Sequence, residues 1–138
     1  MRPDIVTTNT AARHTMAIAA ALIALATALG AFGTHGLQPI LTPQKFANFL
    51  LAVNYQFYNA LGLLGLGIIQ RSCDNSALRW SVRLVLLGLL LFCGSLYALS
   101  AGLPTWVAMA APLGGSSLIL AWLVAAFGLW RGTGSVNS

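Results

Sequence analysis

Apolar residues run along this chain in long unbroken blocks. No Asp, Glu, Lys or Arg occurs in residues 14–44, 46–70 or 84–130. Crossing a bilayer core of about 30 Å takes about 20 helical residues. The first two blocks each accommodate one span, and the third accommodates two with a turn between them. Gly102-Leu103-Pro104 supplies that turn, because Gly relaxes the backbone and Pro lacks the amide that a helix needs. The pattern predicts spans near 15–36, 44–70, 80–101 and 105–130. Runs such as Leu84 to Leu91 do not alternate apolar with polar residues, as the strands of a membrane barrel would. Helices satisfy their own backbone in lipid, so the expected fold is all-α with four transmembrane helices.

Composition supports this reading. Of the 138 residues, 58% are hydrophobic and 7% are charged, whereas a soluble domain carries about 25% charged residues. The net charge of +5 does not describe a nucleic-acid binder, because the basic residues are scattered between spans and form no face. They do set an orientation. Arg2, Arg13, Arg71, Arg79, Arg83 and Arg131 fall on one side of four spans and Lys45 falls on the other. The positive-inside rule predicts both termini in the cytoplasm, with a bacterial inner membrane as the expected setting or an organelle inner membrane in a eukaryote. Trp80 and Trp130 then lie at the inner interface and Trp106 at the outer one. The expected organisation is a loose N-terminal segment 1–14, a membrane domain 15–130 and a cytoplasmic tail 131–138. A competing reading makes the first apolar run a cleaved leader, with Ala24-Leu25-Ala26 resembling a cleavage site.

Within the spans, small and polar residues stand out. Ala17, Ala21, Ala24, Ala28 and Ala31 share one face of span one, the kind of stripe that lets membrane helices approach closely. Gly30, Gly33 and Gly36 loosen its end. Thr42-Pro43 reads as a helix start, and Lys45 can snorkel to the outer interface. In span two, Tyr55, Asn59 and Gly62 share a face, and Gln56 and Asn59 need partners on other helices. Gly94, Gly114 and Gly115 suggest close helix crossings, and Pro112 suggests a kink in span four. Under the four-span topology, His35, Tyr55, Gln56, Asn59, Ser95 and Tyr97 gather toward the outer half of the membrane. Each has two open readings. His35 is a proton relay or metal ligand, or a helix-end cap bonded to Tyr55 or Tyr97. The amides line a solute site, or they join helices. Cys73 and Cys93 differ too much in depth for a disulfide and lack metal-ligand spacing.

Four stretches carry a family resemblance. They are Gly30-Ala31-Phe32-Gly33-Thr34-His35-Gly36-Leu37, Tyr55-Gln56-Phe57-Tyr58-Asn59-Ala60-Leu61, Phe92-Cys93-Gly94-Ser95-Leu96-Tyr97 and Ala111-Pro112-Leu113-Gly114-Gly115. In this order, across residues 15 to 130, the chain resembles the small integral membrane proteins of the YgdD type. That family is catalogued as domain of unknown function 423, and its eukaryotic relatives include transmembrane protein 256. The family pattern has Ala at Thr34, His at Asn59, Ser at Cys93 and Thr at Ala111, and it usually continues to a Gly-Trp pair, here Ala121-Trp122. The resemblance implies four helices, no known molecular function and a retained first span. Asn59 puts in doubt any two-histidine site that the family has.

The inventory predicts no enzyme, since no carboxylate lies in any span and no catalytic triad can be composed. No cofactor or metal is expected, and the bilayer is the expected partner. Two functions remain. One is a structural or accessory component that packs with itself or with a larger membrane complex. The alternative is a binder or conduit for a neutral small molecule, lipid or quinone, using the outer polar residues.

Overall fold

A computed structural model describes residues 9–132. It contains four long helices: α1 (Thr10–Phe32), α2 (Pro43–Gln70), α3 (Ser76–Ser100) and α4 (Ala110–Arg131). A π-helical turn, Gly33–Leu37, extends α1, and a 3-10 turn, Thr105–Met109, precedes α4. With those turns, all four are long and apolar enough to cross a membrane.

Three of the helix starts are set by local side-chain chemistry. Asn9, Thr42 and Asn75 each accept a bond from an amide in the first helical turn, where donors have no partner inside the helix. Pro43 opens α2 at a position where its missing amide costs nothing. Helix α1 therefore begins at Thr10. Residues 10–14 are helical and not loose, because Asn9 provides a cap upstream of Arg13 and His14. The remaining expected tail residues, 1–8 and 133–138, lie outside the described residues.

The helices pack in chain order, α1 on α2, α2 on α3 and α3 on α4. Helices α2 and α3 hold the centre and α1 and α4 the flanks, as their shares of buried residues show. Hydrogen bonds at the helix ends establish the antiparallel order. Asn9 Nδ2 donates to the Gln70 carbonyl (2.8 Å), joining the start of α1 to the end of α2. Asn75 Nδ2 donates to the Gly128 carbonyl (3.2 Å), joining the start of α3 to the end of α4. The Ser100 hydroxyl donates to the Lys45 carbonyl (3.0 Å), joining the end of α3 to the start of α2. Each of the two asparagines thus caps its own helix with the oxygen and clamps a neighbour with the nitrogen. Leu63, Leu66, Leu78, Val85 and Leu118 fill the core between these ends.

Small residues decide how closely the helices approach, though not the ones the alanine pattern suggests. Ala17, Ala21, Ala24, Ala28 and Ala31 are all exposed. The buried seam of α1 is Ala12, Thr15, Ala19, Ala26 and Gly33, rotated around the helix from that stripe. The opposite partner of this seam includes Gly67, where an added Cβ would stand 2.6 Å from Met16 Cγ. At the α3–α4 crossing, a Cβ on Gly114 would collide with the backbone of Phe92, and one on Gly88 would stand 2.7 Å from Leu118. A Cβ on Gly33 would meet the Phe49 ring, and one on Gly36 would meet the Phe32 ring. Gly30 and Gly115 make ordinary contacts, with Val53 and Phe92. Gly94 packs against no helix, since nothing lies within 4 Å of where its Cβ would be. Pro112 does not interrupt a span either. It is the third residue of α4, in the first turn, where no intrahelical bond is lost.

These two glycines make a matched test. Gly114→Ala must push apart two backbones and is expected to destabilise the protein by about 1–3 kcal/mol. Gly94→Ala is expected to stay within about 0.5 kcal/mol of the parent chain. Reversible unfolding in mixed micelles checks both. Equal stability of the two variants would contradict the assigned crossing.

Candidate functional site

The intramembrane polar residues form two separate bridges, and not one outer layer. The first centres on Gln56, which lies about 20 Å from either end of α2 and so at mid-span. Its Nε2 donates to the Leu22 carbonyl of α1 (2.9 Å) and its Oε1 accepts from the Tyr97 hydroxyl of α3 (2.8 Å). Tyr97 sits in the last turn of α3, yet it reaches mid-span because helical side chains lean toward the helix start. The Phe49 ring meets Tyr97 edge-on at 5.5 Å and holds it in that pose. Gln56 is 4% exposed, and its polar atoms are taken up by the two neighbouring helices.

The second bridge faces α4. Asn59 Oδ1 accepts from the Trp122 indole (2.8 Å), and its Nδ2 donates back to the Tyr55 carbonyl (2.9 Å). The Trp122 ring packs against Gly62, where a Cβ would overlap its Cη2 and Cζ2 atoms. Gln56 and Asn59 are three residues apart, so their side chains leave α2 about 60° apart and meet different helices. That angle is why the two amides do not share a cluster.

The other expected members stand apart. The Ser95 hydroxyl donates to the Phe92 carbonyl of its own helix (2.8 Å). Tyr55 is 41% exposed and tilts against Phe92 with ring centroids 4.9 Å apart. His35 is exposed on the π-helical turn and touches neither Tyr55 nor Tyr97 through a hydrogen bond. Among the described residues, no group of three His, Cys, Asp or Glu side chains comes together.

Several interhelical bonds involve residues outside the six expected polar positions. Ser81 of α3 donates to the Ala121 carbonyl of α4, and Ser117 of α4 donates to the Leu84 carbonyl of α3, both at 2.8 Å. The Cys93 thiol points at the Ala52 carbonyl (3.3 Å), joining α3 to α2. Trp122, expected only as part of the family's Gly-Trp pair, is the largest of them. An indole N–H deep in an apolar span must find an acceptor, and that requirement was readable. Gln70 Oε1, at the end of α2, is the buried side-chain oxygen left without a partner among the described residues.

A family model described as a protein of unknown function, DUF423, matches residues 29–115. The chain belongs to this family. The matched segment holds Gln56, Asn59 and Tyr97 and ends before Trp122. Relatives include the UPF0382 membrane protein SSP2132 of Staphylococcus saprophyticus, 35% identical over 78% of this chain and 88% of its own. The UPF0382 membrane protein of Haemophilus influenzae is 33% identical over 75% of this chain and 83% of its own. The UPF0382 inner membrane protein YgdD of Escherichia coli is 33% identical over 75% of this chain and 79% of its own. No solved structure matches. With four apolar helices and relatives named as membrane proteins, this DUF423 member is an integral membrane protein.

The second bridge gives a test tied to the family pattern. Asn59→Leu and Trp122→Phe each break the same bond, and a double-mutant cycle is expected to return a coupling of about 0.6 kcal/mol, at most about 1.7. Asn59→His, the residue of the family pattern, offers a ring nitrogen to the indole and is expected to lie close to the parent stability. A coupling of zero, with Asn59→His as damaging as Asn59→Leu, would show that the bond contributes nothing.

Proposed function

We propose that this DUF423 protein is a non-enzymatic structural or accessory component of its membrane, packing with itself or with a larger membrane complex. The observation that carries this reading is the fate of the polar residues within the spans. Gln56, Asn59, Tyr97, Ser81, Ser117 and Cys93 all direct their polar atoms to neighbouring helices or to their own backbone. They serve as joints between helices, which leaves no free intramembrane polar group in either bridge for a solute path. The neutral-solute reading is accordingly not favoured.

The exposed stripe of α1 supports association. Ala17, Ala21, Ala24, Ala28 and Ala31 line the free face of a flanking helix. Membrane helices join through packing, and small residues allow the backbones to come close. A smooth alanine face needed for nothing inside the monomer suits a second helix better than it suits disordered acyl chains. For orientation, we infer that both termini lie in the cytoplasm. The Arg13, Arg71, Arg79, Arg83 and Arg131 end of the bundle carries nearly all of the basic charge, and the opposite end carries Lys45. Trp80 and Trp130 are exposed at the arginine end and Trp106 at the other, as interfacial indoles would be. The name of the Escherichia coli relative supports an inner-membrane setting.

Association is tested by oxidative crosslinking in native membranes. With Cys73 and Cys93 replaced by Ser, single cysteines at Ala21, Ala24 and Ala28 are expected to give crosslinked species in step with the helical period. A cysteine at Leu123, on the exposed face of α4, is expected to give none. Uniformly weak crosslinking at all four positions would remove α1 as an association face.

A further inference from the structure

Two openings lie along the same side of the bundle and share Tyr97 as a common wall. The first is at the Lys45 end. It measures about 480 Å³ and is walled by Leu29, Leu37, Leu41 and Phe49, with Lys45 and Ser100 at its polar edge. The second, about 280 Å³, continues between α1 and α3 past Gly94 and Leu90 to Leu86. From Ala101 to Leu86 the two follow α3 for about 20 Å, longer than the ~15 Å of one leaflet's hydrocarbon.

The chemistry along this groove is graded. Its walls are apolar below Tyr97, where Gln56 and the Tyr97 hydroxyl are engaged with each other. Its mouth carries an unpaired cation. Lys45 Nζ lies over Gly102, 3.6 Å from where a Cβ on that residue would stand. No other charged side chain of the described residues is at this end. Asp74, the acid of the described residues, is paired with Arg79 at 3.1 Å at the opposite end of the bundle. Gly94 adds a notch to the groove floor, since its missing side chain leaves open space and no helix fills it.

We propose that this groove is a binding site for an anionic phospholipid. The phosphate sits on the Lys45 ammonium and one acyl chain lies between α1 and α3 in the notch at Gly94. Charge complementarity selects an anionic head, because its phosphate, unlike that of a zwitterionic lipid, has no amine of its own to compete with the Lys45 ammonium. The length and apolar walls select an acyl chain. This assignment accounts for the bare Gly94 and the Lys45 ammonium, neither of which takes part in packing the helices.

Native mass spectrometry of the full chain in neutral detergent tests it, using phosphatidylglycerol, phosphatidylethanolamine of the same chains, and oleate. The parent protein is expected to retain phosphatidylglycerol several-fold over phosphatidylethanolamine. Lys45→Ala is expected to bring the two to the same level, and Lys45→Arg to keep the preference. Gly94→Leu fills the notch from a Cβ that has no other atom within 4 Å, and it is expected to reduce retention of both phospholipids. Preference for phosphatidylglycerol that survives Lys45→Ala would overturn the proposal, as would unchanged retention in Gly94→Leu. Oleate displacing phosphatidylglycerol would overturn the assignment to a phospholipid.

Discussion

A backbone carbonyl in a helix accepts one bond from its own ladder and keeps a second lone pair. In lipid, that lone pair is what a neighbouring helix can use, since no water is present to take a polar side chain. This molecule is joined largely in that way. Gln56 reaches Leu22, Ser81 reaches Ala121, Ser117 reaches Leu84, Cys93 reaches Ala52 and Ser100 reaches Lys45. Two asparagine caps close the arginine end by the same device. Each such bond is worth about 0.6 kcal/mol on average, so none holds the bundle alone. Their joint effect is on register, because a carbonyl offers its lone pair at one height along the axis.

Close approach is the condition for those bonds. A serine hydroxyl is short, and it reaches another helix's carbonyl only where small residues let the axes come together. The α3–α4 seam shows the coupling. Gly88 and Gly114 make the crossing, Ala121, Ala125 and Gly128 continue it on α4, and Ser81 and Ser117 bond across it in opposite directions. The two Gln56 and Asn59 bridges then tie the central helix α2 to both flanking helices. The site that looked functional in the sequence is thus part of the joinery, while the Lys45 side chain and the bare Gly94, which take no part in it, line the open groove.

Much of the fold was legible because charge and turn chemistry are local. The charge-free blocks marked the spans, Thr42-Pro43 marked the start of α2, and Gly102, with φ of 91°, marked the turn before α4. What failed depended on rotation about a helix axis or on a partner elsewhere in the chain. The alanine stripe of α1 is real, but periodicity alone does not say which way a stripe faces. Gln56 and Asn59 sit one turn apart, but only the placement of α1, α3 and α4 around α2 reveals that they serve different neighbours. Pro112 lies inside a long apolar run, so the 3-10 turn that makes it a helix start was hidden. Ser81 drew no notice because its meaning comes from Ala121, forty residues on.

Polar residues sealed within helix contacts line no aqueous path. Cys93 reports on this directly, being buried beside the Gln56 bridge with its thiol against the Ala52 carbonyl. With Cys73 replaced by Ser, Cys93 in intact membranes is expected to resist a membrane-impermeant maleimide applied from either side and to react once the protein is denatured. Rapid labelling of Cys93 in the folded protein, from either side, would contradict the account.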